Sequence, residues 1–145
     1  MIRQATPDDL PRIIEMGRTF LLDGPYKDII EDNPEVPLAL AEKLVTNPQA
    51  RILVEEQDNK LVGVFCFLLY PHYYSGLMTA GELIWYVEPE ARKTMAGLRL
   101  KWAAEKLAKE LGAVQMQLTC PPDQDALFSR LSGYVRVETG YQRRL

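Results

Sequence analysis

Histidine and cysteine are nearly absent from this chain: there is one of the first and two of the second in 145 residues. A metal centre built from imidazoles and thiolates is therefore excluded, and an all-oxygen site has no support. Cys66 and Cys120 lie far apart, without metal spacing, in stretches that read as strands. They are expected to be core thiols in a reducing compartment rather than a disulfide. An excess of one charge is also missing, since 17 Lys and Arg stand against 20 Asp and Glu, for a net charge of −3. That balance does not favour a nucleic-acid face. The longest apolar run, Leu61 to Leu69, is too short to span a bilayer. The opening MIRQATPDD has no apolar leader region, so a cytoplasmic location is expected and no membrane partner.

What is present is the composition of a soluble globule, 47% hydrophobic and 26% charged, with length for one domain over residues 1–145. Ile2 to Ala5 reads as a first strand. Thr6-Pro7-Asp8-Asp9 is a helix start, with an N-cap hydroxyl, proline at the first helical position and acids in the first turn. Leu10, Ile13, Ile14, Gly17 and Leu21 continue at helical spacing until Asp23-Gly24-Pro25. An acidic, proline-containing loop follows, then a helix from Leu38 to about Val45. Ala50 to Gln57 and Lys60 to Tyr70 read as strands joined by an Asp58-Asn59 turn, the second apolar enough to be covered on both faces. Gly63 within it points to close packing or a bulge. The aromatic loop Pro71 to Gly76 leads to a strand from Leu77 to Val87. Ala113 to Cys120 alternates as a strand, Gln124 to Leu131 is a short helix, and Tyr134 to Arg143 alternates as a last strand.

The most informative stretch is Gly81 to Ala113, a strand, a polar loop and a long amphipathic helix. Leu100, Ala103, Ala104, Leu107 and Leu111 mark one buried face, and Lys101/Glu105 and Lys106/Glu110 are i,i+4 pairs expected on the wet side. A strand entering a helix through such a loop leaves N–H groups unpartnered at the helix start, where dipole and donors favour a phosphate. Arg92 and Lys93 add positive charge there. The stretch is a pyrophosphate-binding turn or an ordinary strand–helix connection with a solvated basic pair.

The stretch VEPEARKTMAG resembles motif A of the GCN5-related N-acetyltransferase (GNAT) superfamily, V-x-P-x-x-R/Q-x-x-G-x-G/A. Val87, Pro89, Arg92 and Gly97 match, whereas Met95 stands where the family usually has Gly, and its Cβ would crowd a ligand. The whole chain, with Pro71-His72-Tyr73-Tyr74 near its middle, is similar to small GNAT proteins often encoded by phages. The resemblance implies an α/β (α+β) GNAT fold, a mixed central sheet with helices on both faces. It also implies an N-acyltransferase that moves acetyl from acetyl-CoA directly to a primary amine of a small molecule or protein. A catalytically weak or inactive coenzyme A-binding module is the alternative, and pairing through the last strands into a homodimer is common among relatives.

Carried onto this chain, the family pattern has backbone groups near Tyr86 and Val87 pairing with the pantetheine arm. The amides from Lys93 to Leu98 (Lys93, Thr94, Met95, Ala96, Gly97 and Leu98) would hold the pyrophosphate, with Arg92 beside them. Glu82 is the candidate general base, because some members place a catalytic Glu at about this distance before the loop and aromatic walls would lift its pKa. Phe128 falls where relatives often carry the proton-donating Tyr, so either Ser129, Tyr73, Tyr74 or solvent protonates the thiolate or the protein is a poor catalyst. His72 is a further candidate for acid–base work, against a structural role in its loop. Tyr26, Asp28, Glu31 and Asp32 are candidate acceptor contacts, as are Tyr74 and Trp85 among the aromatic side chains.

Overall fold

The apolar run in the middle of the chain becomes the central strand of a five-stranded sheet. The computed structural model describes residues 1–145. It contains β1 (Ile2–Gln4), α1 (Leu10–Asp23), α2 (Glu35–Val45), β2 (Ala50–Gln57), β3 (Lys60–Pro71), β4 (Met78–Val87), α3 (Ala96–Glu110), β5 (Gln115–Gln117) and α4 (Asp125–Phe128). The strands lie in the order β1-β2-β3-β4-β5. Neighbours run antiparallel except β4 and β5, which are parallel and joined through α3. This is the mixed sheet with helices on both faces that the sequence led us to expect.

Alternation along β3 divides the core in two. Phe65, Phe67 and Leu69 pack with Ala96, Leu100, Ala104 and Ala108 of α3. Val64 and Cys66 pack with Leu10, Ile13 and Met16 of α1 and Ala41 of α2. Alanines at 96, 104 and 108 flank Leu100 on this face and let α3 settle onto the sheet. The approach is tight at Gly63, where a Cβ would meet Leu100 Cδ1 at 2.8 Å and the Tyr86 carbonyl at 3.2 Å. The same spot carries a bulge, because Glu55 pairs with Gly63 but Glu56 with Leu61. Asp58 and Asn59 take φ of 50° and 59° in the β2–β3 turn, as the turn signal predicts.

Several boundaries differ from the expectation. Pro7–Asp9 is a 3-10 turn before α1. There the Asp9 carboxylate accepts the Thr6 N–H at 2.7 Å, while Arg3 grips both of its oxygens at 2.7 and 2.9 Å. Helix α2 begins three residues earlier than the sequence suggests, at Glu35. The buried face of α3 is rotated so that it includes Lys101, which is only 4% exposed. Lys101 is not on the wet side: its ammonium donates to Glu105 at 2.6 Å and faces the Tyr134 ring at 5.3 Å, and the Tyr134 hydroxyl donates to the same carboxylate at 2.8 Å.

The largest correction concerns the C-terminal third. Strand β5 is three residues long instead of the eight expected from Ala113 to Cys120, and the strand expected over Tyr134 to Arg143 is absent. Two causes are visible. Pro121 and Pro122 cannot donate to a ladder, and the Thr119 N–H is accepted by a side chain instead of by β4 backbone. A three-residue edge offers little for a sixth strand to pair with. Tyr134 is tied to α3, and Val135, Val137 and Tyr141 beyond it remain exposed.

Candidate active site

Strands β4 and β5 pair only from Thr79–Gln115 to Gly81–Gln117 and then part. On its other side β4 is paired with β3 throughout, but the register jumps from Phe67–Glu82 to Cys66–Ile84, leaving Leu83 as an unmatched bulge. A bulge bends its strand and increases local twist. The bulge and the parting therefore coincide, and Glu82 sits at their junction. Its Oε2 accepts the Thr119 N–H at 3.1 Å and the Thr119 hydroxyl at 2.9 Å. Burial pushes the Glu82 carboxyl above the ordinary carboxylate range, and the two Thr119 bonds pull against that rise without cancelling it. A carboxylate so placed takes up a proton more readily than a solvated one.

Beyond Glu82 the cleft is walled by aromatic rings. Trp85 packs against Phe65 at 5.6 Å and against Phe128 of α4 at 5.4 Å between ring centroids. Tyr86 is buried on the α1 side, its ring at 6.4 Å from Phe20 and its hydroxyl donating to Glu88 at 3.2 Å. Glu88 in turn pairs with Arg12 of α1.

The loop after β4 turns through Pro89–Lys93 as a 3-10 helix and enters α3 at Ala96. Arg92 is drawn back onto the strand, its Nε donating to the Val87 carbonyl at 2.8 Å and its guanidinium over the Tyr86 ring at 5.4 Å. The Thr94 hydroxyl donates to the Ala91 carbonyl at 2.7 Å and accepts the Ala96 N–H at 3.1 Å. The Thr94 N–H goes to Ala91 as well. The expected cradle from Lys93 to Leu98 is thus smaller than the sequence suggested, because the Thr94 and Ala96 amides already have acceptors. Those of Met95, Gly97 and Leu98 have none within the chain. At Gly97 a Cβ would meet Val87 Cγ2 at 3.7 Å and the Trp85 ring at 3.8 Å, both ordinary contacts, so the chain's own packing does not demand glycine there. Three free donors at a helix start, beside exposed Lys93, fit an anionic diphosphate. Met95 is 47% exposed at this rim.

The other predicted residues lie in two loops, the β3–β4 hairpin and the α1–α2 connection. His72, Tyr73 and Tyr74 form the β3–β4 hairpin tip, at the opposite end of β4 from the cradle. The five residue steps from Leu77 to Glu82 put about 17 Å of extended chain between the end of the tip and Glu82. His72 Nδ1 accepts the N–H groups of Tyr74 and Ser75 at 3.3 and 3.4 Å, and its ring stacks on Tyr73 at 4.8 Å. Tyr73 and Tyr74 are 94% and 89% exposed. Tyr26 is half-buried at the start of a turn in the α1–α2 connection, accepting the Ile29 and Ile30 N–H groups through its carbonyl. In the same connection Asp32 is paired with Arg18, and Glu31 with Arg144.

A model of the acetyltransferase (GNAT) family matches residues 17–134, most of the chain. The chain belongs to that family. Among solved structures, this GNAT protein is similar to a transcriptional regulator from Bacillus halodurans C-125, with 22% identity, a TM-score of 0.80, and 100% of this chain and 99% of that chain covered. It is also similar to an aminoglycoside acetyltransferase from an uncultured soil metagenomic sample solved with sisomicin, at 19% identity and a TM-score of 0.73, with coverage of 100% and 96%. A Trypanosoma brucei acetyltransferase gives 17% identity, a TM-score of 0.74, and coverage of 100% and 99%. No curated protein matches the sequence. At these identities the structural likeness speaks for the fold, while the family match makes acyl transfer the chain's class of chemistry.

Two contacts beside the candidate site carry no signal in the sequence. Thr119 was read as one polar residue of an alternating strand, and no local signal marks it as the partner of Glu82. Glu55, 1% exposed on β2, pairs with Arg99 of α3 at 2.6 Å and holds the first turn of that helix. Its burial is foreshadowed only by the apolar run before it.

Proposed function

We propose that the protein is an acetyl-CoA-dependent N-acetyltransferase that transfers acetyl directly to a primary amine, with Glu82 as general base. The observation that carries this reading is the set of unpartnered amides at Met95, Gly97 and Leu98, at the start of the helix that follows β4, the strand from which β5 parts beside Glu82. Those amides would hold the diphosphate of the donor, and Lys93 would add charge beside them. The donor supplies an acyl group activated as a thioester. In the transfer the amine nitrogen bonds to the acyl carbon, the carbon–sulfur bond breaks, and the proton lost by the amine goes to Glu82. A raised carboxyl pKa suits that task, because proton transfer is most efficient near the working pH.

The thiolate is protonated by solvent. Phe128 has no proton to give, and Tyr134 is held by Glu105, with burial pushing its hydroxyl further from ionisation. The acceptor is a cationic amine: Asp28 and Glu35 in and after the α1–α2 connection are exposed and without an ion-pair partner. The aminoglycoside acetyltransferase of similar fold supports testing polyamines and aminosugars beside lysine peptides. Two thiols outside any disulfide favour a reducing compartment. The alternative is a donor-binding module with weak catalysis, favoured by Met95 at the cradle and Phe128 in place of a donor hydroxyl.

Calorimetric titration with coenzyme A and acetyl-CoA, followed by thiol release on adding each amine, tests the proposal. Binding of both nucleotides is expected, with Gly97→Val weakening it by at least about tenfold, roughly 1.4 kcal/mol. Thiol release is expected only with an amine present. No heat at millimolar nucleotide would overturn the reading, and binding without turnover on any amine would leave the binding module in its place.

A further inference from the structure

The bond that follows the last β4–β5 ladder pair is made by a side chain. One residue past Gly81 and two past Gln117, the Glu82 carboxylate reaches across to Thr119 and takes both of its donors on the same oxygen. We propose that Thr119 is a positioning residue for the base: it fixes Oε2 and leaves Oε1 to receive the proton of the acceptor amine. This rests on Glu82 being the base, as proposed above.

A glutamate side chain has three rotatable bonds, and without a partner its carboxylate would sample several directions at a point where two strands diverge. Two donors on one oxygen fix the plane of the group. They come from one residue, through main chain and side chain together, so orientation of the carboxylate is coupled to the path of the chain leaving β5. The donors also favour the ionised form, the only form that accepts a proton. The other titratable groups close to the carboxylate are thiols. Cys66 of β3 is pushed up to about 12 by burial and by Glu82 itself, and Cys120, next to Thr119, is raised by burial and by Asp125. Both stay neutral at physiological pH. Glu82 has no ion-pair partner, and α1 meets β4 with Gly17 against Ile84. Thr119 is thus the group that stabilises the carboxylate against its own burial.

The test compares Thr119→Val, which keeps the N–H and loses the hydroxyl, with Thr119→Ser, which keeps both. The acid limb of the kcat/KM profile should move upward by about half a unit or more in Thr119→Val, as expected for loss of a hydrogen bond to the charged form, and overlay wild type in Thr119→Ser. A 13C titration of the Glu82 carboxyl in substrate-free protein should show the same displacement without turnover. Thr119→Ala serves in the same role if the valine variant does not fold. A residue that merely braced the strands would lower the melting temperature and leave both titrations unmoved, and that result overturns the proposal. Full activity in Glu82→Gln would overturn it together with the base assignment. Loss of activity in Glu82→Gln with an unmoved Thr119→Val limb would overturn the positioning role alone.

Discussion

The two ends of β4 carry the two groups of polar and aromatic residues that stand out in the sequence, and the fold treats them differently. At the start of the strand, the hairpin tip spends its histidine on its own turn and holds its tyrosines out in solvent. At the far end, aromatic rings are packed into a wall, a half-buried carboxylate is held by Thr119, and helix-start amides are left without acceptors. The difference comes from what the neighbouring strand does. Beside the tip, β5 pairs with β4 and closes the edge; beyond Gly81 it departs and opens one. The far end of β4 combines reactive residue types with unpaired backbone groups, and the tip has only the former.

The sharpest way to break this contrast is to disable each end in turn. Glu82→Gln is expected to lower kcat/KM by about a hundredfold or more, the range for a positioned base, with affinity for coenzyme A unchanged. His72→Ala should stay within about twofold of wild type, since its loss removes turn bonds and not a reacting group. Steady-state kinetics beside calorimetry reads both. A hundredfold loss in His72→Ala would mean that the hairpin tip reaches the acceptor after all.

Packing gives the next effect. Gly63→Ala, under the cradle end of β4, drives a methyl into Leu100 and toward the Tyr86 carbonyl and should cost about 1–3 kcal/mol of stability. Gly76→Ala in the hairpin meets no atom, but its φ of +70° makes any side chain strained, at about 1 kcal/mol. Denaturant unfolding should rank them in that order. The opposite order would mean that α3 can shift away from β3 more easily than the turn can relax.

Much of the contrast is absent from the sequence for physical reasons. Elements fixed by local chemistry were legible: the Asp58-Asn59 turn, the proline-led start before α1, the doubly buried β3, and the strand–loop–helix of the cradle. What depends on contacts between distant segments was not. The Leu83 bulge is a mismatch between β3 and β4, and no period-2 pattern within β4 announces it. The Thr119–Glu82 bond spans 37 residues. Lys101 looked like a surface partner of Glu105 because i,i+4 spacing shows that two side chains meet and not which way the pair faces. The expected strand from Tyr134 to Arg143 has the right alternation, but a strand needs an edge, and β5 provides only three residues of one.

A smaller effect separates stability from catalysis at Glu82. Its pKa is raised in the folded protein, so the folded state holds a proton more tightly than the unfolded chain. Wild type should therefore gain stability as pH falls through the folded pKa toward the unfolded value, and lose that contribution above it. Glu82→Gln lacks the titration. It should be at least as stable as wild type at neutral pH, with the gap closing in mild acid. Melting curves at several pH values check the sign; a variant that is less stable at neutral pH and converges in acid would mean that the Thr119 bonds outweigh burial.

The smallest effect is expected at the tip. Tyr73→Ser and Tyr74→Ser remove rings that are almost wholly in water, so each should change stability by no more than about 0.5 kcal/mol. Donor affinity should not move, because the cradle lies at the other end of β4. The informative outcome is specificity. If either variant changes KM for one amine and not another while kcat holds, the tip contributes to acceptor choice from a distance, and the boundary drawn at Gly81 between a structural and a reactive end of β4 is too sharp. If neither does, the aromatic loop is a hairpin closure, and selection of the amine falls to the α1–α2 connection.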